Sequence, residues 1–283
     1  MNIKGSNYFN FKTIKAEEID QYKNIIPDIF DKKENGFLIK NVFNNNEIDK
    51  LRALTETLDP NTYTTTGSGF TFPMPFANVQ DVKSKNAYLD STKIYNNTDH
   101  SPFENTINNK IEKLLKKISG NLTPNAPKFV GTGNYASSSQ IRCFKKNMGG
   151  LTVHNGNYFQ NMFNFFYESL DENIGKYEQL SYFIMVQKPR TGGDLLVFDL
   201  TWDEAKEKPD FQNNDHIIAK NDEYIDVSKI NKSIVSPDPG DMFVFHGGEI
   251  WHQVNEIEGA LDRITLGGFM ARSMVSNQLF LWA

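Results

Sequence analysis

The chain has 283 residues, 39% of them hydrophobic and 13% aromatic, which suffices for a sizeable core and argues against global disorder. Its formal net charge is -5, with acidic and basic residues interspersed and no long Lys/Arg stripe, so nucleic acid is not an expected partner. The single cysteine, Cys143, excludes an intrachain disulfide; no disulfide-linked partner is expected, and a reducing, cytoplasmic setting fits.

The opening stretch MNIKGSNYFNFKTIKAEEID lacks the apolar core of a signal peptide, and no run approaches membrane-spanning length, so no membrane association is expected. NGFLIKNVF (35–43) reads as a strand. In NEIDKLRALTETL (46–58), Ile48, Leu51, Leu54 and Leu58 share one helical face. TTTGSGFTFPMPFANVQ (64–80) has Gly, Pro and Phe but no period, and reads as a loop that could serve as a lid. SPFENTINNKIEKLLKKISG (101–120) predicts a helix. Ser101 can cap it, Pro102 suits its first turn, Glu104 completes a capping box and Gly120 stops it. The sequons at 96, 121 and 231 read as a by-product of an Asn-rich composition.

The second half changes character. SSQIRCF, LTVH, LSYFIMVQ, DLLVFDLTW, MFVFHGG, IWHQVNEI and RITLGGFMA are short strand-like runs, some separated by the turn signals TGGD, DPGD and GALD. Many short strands with tight turns predict a mainly β fold, as a sandwich, barrel or jelly roll, with the helices flanking it. The polar stretch 204–224 reads as an excursion from that core.

There are five histidines: 100, 154, 216, 246 and 252. His154 and His252 sit in strand-like runs. Arg263 follows His252 by eleven residues, and Thr265 shares its face because side chains alternate along a strand. A strand histidine, a distal histidine and then Arg-x-Thr suit an Fe(II) and 2-oxoglutarate site. Imidazole suits Fe(II), and a guanidinium fork beside a hydroxyl suits the far carboxylate of the 2-oxo acid. The common form of that site adds a carboxylate two residues after the first histidine. Here that residue is Gly156. Octahedral iron with two imidazoles, a chelating 2-oxo acid and O2 keeps one place, and chloride or bromide from solution can take it where no side chain intrudes.

Each of these residues also has an ordinary reading. A strand histidine can be a hydrogen-bonded core residue. His246, which also ends a strand, can be a rival ligand or a structural neighbour of the site. Arg263 can be a surface charge. Gly156 can be a bulge or a close-packing glycine. Arg142, in an earlier strand, can touch an anion in the site or form a structural ion pair. His100 and His216 fall in polar loops, and Trp202 and Trp251 read as core.

The stretches VHNGNYF (153–159), QLSYFIMVQKPRTGGDLLVFDLTW (179–202), PGDMFVFHGGEIWHQVNEIEG (239–259) and DRITLGGFMARS (262–273) resemble the Fe(II)/2-oxoglutarate halogenases that act on free small molecules. They are most similar to the cyanobacterial enzymes that chlorinate hapalindole- and welwitindolinone-type indole alkaloids. The resemblance implies a double-stranded β-helix, that is, a cupin-like jelly roll. It implies a single domain over 1–283, in which 1–125 supply flanking helices and a strand and 126–283 the core, with an excursion at about 203–232. It implies iron on His154 and His252, halide at Gly156, 2-oxoglutarate on Arg263 with Thr265, a catalytic part for Ser181 in orienting the oxidant, and Phe159 in the substrate pocket. Asn155 and His246 depart from the family pattern, with valine and asparagine there respectively, and the loops at 64–80 and 204–224 match poorly. These departures bear on the substrate.

The expected activity is chlorination of an unactivated aliphatic carbon of a small molecule, with O2 consumed and succinate and CO2 formed. A hydroxylase with the same two-histidine iron site is the first alternative, separated by chloride dependence. A non-catalytic β-helix binding protein is the second, separated by absence of iron-dependent succinate formation.

Overall fold

The computed structural model describes residues 3–5, 9–96, 109–170, 174–175, 178–205, 217–220 and 223–283. Eight strands form its centre: β1 (Gln140–Phe144), β2 (Leu151–His154), β3 (Leu180–Gln187), β4 (Leu195–Thr201), β5 (Lys232–Val235), β6 (Met242–Phe245), β7 (Ile250–Val254) and β8 (Arg263–Arg272). One sheet runs β1-β8-β3-β6 and the other β2-β7-β4-β5, with every neighbouring pair antiparallel. Successive strands alternate between two facing sheets except at β4 and β5, which pair with each other in the smaller sheet, and this is the double-stranded β-helix.

Period-two alternation explains why the strands of the larger sheet are buried almost throughout. Tyr182, Ile184 and Val186 of β3, Met242 and Val244 of β6, Ile264 and Leu266 of β8, and Ile141 and Cys143 of β1 join one apolar cluster on the outer face. Ile25, Ile26 and Ile29 of the helix Ile25–Phe30, Ile48 and Leu51 of the helix Asn45–Thr57, and Ile111, Leu114, Leu115 and Ile118 of the helix Asn109–Ile118 cover that face. The intervening residues of the same strands point between the sheets. Phe243 and Phe245 meet Leu195, Val197, Ile250 and Val254 there. A sheet covered on both faces reads as continuous apolar runs rather than alternating ones. Arg142, Arg263, Thr265 and Ser181 have the inward parity, so strand geometry alone sends them to the interior.

The helix Asn45–Thr57 starts at a capping box: the Asn44 side chain accepts from the Glu47 N–H at 3.0 Å, and Glu47 accepts from the Asn44 N–H at 2.8 Å. Strands Phe11–Lys15 and Gly36–Lys40 extend the larger sheet beyond β6. Beyond β1 the segment read as a loop proves to be a hairpin, Thr64–Thr66 with Gly69–Phe72, paired to β1. Gly69 permits that pairing, because a Cβ there would lie 1.9 Å from the Cys143 carbonyl oxygen. A helix at Val82–Asn96, not expected from the sequence, follows it. The predicted helix at 101–120 is seen as Asn109–Ile118; its Ser101, Pro102 and Glu104 start lies outside the described residues, as do His100 and His216. The described part of the excursion holds an antiparallel hairpin, Ile217–Lys220 with Glu223–Asp226. Among the described residues no helix is long and apolar enough to cross a membrane.

Candidate active site

β2 and β7 place His154 directly opposite His252, with ring centroids 4.3 Å apart and planes inclined at 57°. Each Nδ1 lies against the carbonyl oxygen two residues back in its own strand, Thr152 at 2.7 Å and Ile250 at 2.8 Å. That contact places the proton on Nδ1 and leaves the Nε2 lone pair free. Burial pushes His252 down to about 4, and it drives His154 well below the ordinary imidazole range, helped by the nearby His252 and Arg142. Both rings are therefore neutral, the form that binds a metal. The Phe159 ring stacks on His154 at 5.2 Å and 18°.

After His154 the strand ends. Asn155 caps the helix Gly156–Met162, its side chain accepting from the Tyr158 N–H at 2.8 Å. Gly156 begins that helix, its N–H donating to the Gly247 carbonyl at 2.7 Å. It is not among the glycines with positive φ. The position is close-packed instead: a Cβ at 156 would lie 2.2 Å from Nε2 at the end of the Gln179 side chain, which would have to shift. Among the described residues no group of three or more His, Cys, Asp or Glu is arranged to hold a metal. A metal on the paired imidazoles would take its remaining ligands from outside the protein.

The opposite wall of the cavity is cationic. β1 and β8 pair Arg142 with Thr265 and Phe144 with Arg263. Arg263 is buried; its Nε donates to the Gly193 carbonyl at 2.7 Å, and its guanidinium carbon lies 5.9 Å from the Phe144 ring and 5.3 Å from the Phe183 ring. Burial and the charge of Arg142 push it down to about 9, while Asp194 acts in the opposite sense. Burial pushes Arg142 down to about 10. Among the described ion pairs neither arginine has a carboxylate partner. Two adjacent guanidinium groups facing a cavity without a protein anion call for an anionic ligand.

His154, His252, Arg142, Arg263, Thr265, Ser181 and Phe159 all line this one cavity of ≈ 90 Å³, whose remaining wall is largely aromatic and aliphatic, including Phe144, Phe183, Phe245 and Leu195. His246 does not line it, and neither do Gly156 and Gln179, which pack against one another next to the His154 strand end. His246 follows β6 on the far side of the chain turn, where Lys32 and Arg272 act on it and burial holds it at about 4. Trp202 and Trp251 belong to the apolar layer outside the smaller sheet. Gln179 opens the QLSYF stretch but was not singled out there, although its position two residues before Ser181 gives both the same parity. Gln179 Nε2 and Ser181 Oγ are both buried without a hydrogen-bond partner among the described residues. Free imidazole lone pairs at one end and unpaired guanidinium groups at the other fit an iron ion with a chelating 2-oxo dicarboxylate.

The model of the family described as carrier-protein-independent halogenase WelO5 matches residues 8–283. No curated protein matches the chain. Among solved structures, an N-substituted L-amino acid dioxygenase from Burkholderia ambifaria AMMD, in complex with alpha-KG, is similar at 12% identity with a TM-score of 0.55, over 92% of this chain and 90% of that one. A second structure, of an N-substituted L-amino acid dioxygenase from the same organism, is similar at 13% identity and a TM-score of 0.54, over 91% of this chain and 90% of that one. At such identities these two show the jelly-roll fold.

Proposed function

The chain belongs to the WelO5 family of carrier-protein-independent halogenases, Fe(II)/2-oxoglutarate oxidoreductases, and from that premise we propose that it chlorinates an unactivated aliphatic carbon of a free small molecule. The observation that carries the reading is the pairing of His154 with His252 where position 156 has no carboxylate. With each Nδ1 engaged by its own strand, His154 and His252 would hold Fe(II) through Nε2. Arg263 and Thr265 take the distal carboxylate of 2-oxoglutarate, the guanidinium being fixed in place by the Gly193 carbonyl and two phenyl rings. With O2, the bound iron and 2-oxoglutarate supply an oxidant able to take a hydrogen atom from an aliphatic C–H.

The reaction balances as substrate R–H, 2-oxoglutarate, O2, chloride and a proton giving R–Cl, succinate, CO2 and water. Halide enters beside Gly156. Ser181, whose hydroxyl has no partner among the described residues, would present it to the ligands of the bound iron, and Phe159, stacked on His154, would form the wall against which the target molecule packs. The aromatic wall suits a largely apolar natural product such as an indole alkaloid.

The test is anaerobic loading with Fe(II), 2-oxoglutarate and chloride, then O2 with a panel of indole alkaloids, followed by mass spectrometry. Iron-dependent succinate with chloride-dependent chlorinated product supports the reading. Succinate with an alcohol as the product, unaffected by chloride or bromide, makes the protein a hydroxylase instead. No iron-dependent succinate leaves a binding protein.

A further inference from the structure

We infer that Gln179 is the protein's hydrogen-bond donor to the halide, standing where the missing carboxylate side chain would begin; the inference rests on the halogenase reading above. Gln179 is fully buried. Its Oε1 accepts from the Tyr167 hydroxyl at 2.9 Å. Burial drives the Tyr167 phenol well above its ordinary range, so this hydroxyl keeps its proton and can donate. With the carbonyl end of the amide engaged, the Nε2 end is turned toward Gly156. There an added Cβ would lie 2.2 Å from Nε2, 2.8 Å from Cδ and 3.3 Å from Cγ. Among the described residues no acceptor meets Nε2.

A buried amide N–H without an acceptor is costly, whereas one donated to an anion is among the stronger hydrogen bonds. Asn155 Nδ2, Asn157 Nδ2 and Ser181 Oγ are also buried donors without a partner among the described residues, but the three atoms nearest a Cβ at 156 all belong to Gln179. The Gly156 N–H is committed to the Gly247 carbonyl, and the neighbouring Gly248 N–H to the Gln179 carbonyl at 2.6 Å. An aspartate at 156 would put an acceptor carboxylate on the metal; the glycine with Gln179 puts a donor beside an exogenous anion. The two arrangements compete for the same space, so a side chain at 156 displaces the Gln179 amide. Gly156 and Gln179 therefore act as one unit that selects halide over a protein ligand. Tyr167 is a positioning residue, because its hydroxyl holds the Oε1 end of the amide away from Gly156.

The experiment is an anaerobic chloride titration of the protein carrying Fe(II) and 2-oxoglutarate, read from the visible charge-transfer band of the iron-bound 2-oxo acid. Gln179→Leu is expected to raise the half-saturating chloride concentration at least tenfold, about 1.4 kcal/mol, while the dissociation constants for iron and 2-oxoglutarate stay within twofold. Tyr167→Phe should shift chloride in the same direction by less. The near-isosteric Gln179→Glu replaces a donor by a carboxylate and should abolish the chloride response with iron still bound, which keeps the test available if the leucine variant does not fold. Wild-type chloride affinity in Gln179→Leu, or in Gln179→Glu, overturns the assignment. A wild-type protein whose band ignores chloride overturns the halogenase reading itself, and this assignment with it.

Discussion

His154 and His252 are directly opposed across one antiparallel strand pair, ring centroids 4.3 Å apart, with each Nδ1 engaged by a backbone carbonyl of its own strand. The backbone therefore fixes both tautomers without help from a carboxylate, and the two free Nε2 atoms are a property of the sheet register. A register slip of one residue would turn one ring away from the other.

The first prediction follows from that pairing. His154→Ala or His252→Ala removes half of the imidazole set and should abolish iron binding, measured by metal content after anaerobic loading and desalting. His246→Ala should retain iron, because His246 lies off the cavity wall. Iron kept by His252→Ala and lost by His246→Ala would reverse the ligand assignment.

Arg263 carries the second. Its guanidinium is held by the Gly193 carbonyl and by the Phe144 and Phe183 rings, so it is preorganised for a carboxylate. Truncating one partner of a buried charged contact costs roughly 2–5 kcal/mol. Arg263→Ala should therefore raise the KM for 2-oxoglutarate well over tenfold in a succinate-formation assay. Arg263→Lys should recover only part of the loss, since a point charge replaces a fork. An unchanged KM in Arg263→Ala would transfer the anchor to Arg142, the other unpaired guanidinium of the cavity.

The third concerns acid stability. Burial, with the charges of Lys32 and Arg272, lowers His246 from 6.5 to about 4 in the folded protein. Its unfolded form takes up a proton more readily, so this contribution to stability is complete above pH 6.5 and is lost as the pH falls toward 4. Between pH 7 and 5 the loss from this one residue is about 2 kcal/mol. His246→Asn cannot titrate, so urea unfolding of the metal-free variant should show a shallower decline over that interval than the wild type. Parallel pH profiles would remove His246 as a source of acid sensitivity.

The jelly roll was legible because its strands are short apolar runs between turn signals, and because the parity of Arg263 and Thr265 within one strand is a local property. The cavity places these two with His154, His252, Ser181 and Phe159, all six of which strand order and family pattern had singled out. The helix Val82–Asn96 was not legible, since its buried residues are Tyr88, Leu89, Thr92 and Tyr95, a mixed face that makes no apolar stripe. Tertiary contacts form it: Tyr88 packs on Phe129 and Phe166, and its hydroxyl donates to the Ala283 carbonyl at 3.0 Å. The hairpin at 64–72 depends on the approach of Gly69 to β1, which no local pattern records. Gln179 was missed for the same reason, because its meaning lies in what faces it across Gly156.

The last prediction turns on that facing pair. Gly156→Asp would offer iron a third protein ligand with the charge of the halide it replaces, so iron should still bind. Succinate formation should persist while chlorination falls to background, and any coupled product should be an alcohol. The backbone at 156 does not need a positive φ, so strain is not the obstacle. The obstacle is the Gln179 amide, 2.2 Å from the new Cβ. Overpacking a buried site of this kind typically costs about 1–3 kcal/mol, so both Gly156→Asp and Gly156→Ala should melt below the wild type. Shortening the opposing side chain relieves the contact. In a Gln179→Ser background the penalty of Gly156→Ala should shrink by about 1 kcal/mol or more, a coupling of the size seen between residues in contact. Melting temperatures of the four proteins of that cycle measure it, and mass spectrometry of the Gly156→Asp product reads the chemistry. Additive melting shifts would show that the two positions do not meet, and persistent chlorination by a folded, iron-loaded Gly156→Asp protein would defeat the placement of halide beside Gly156.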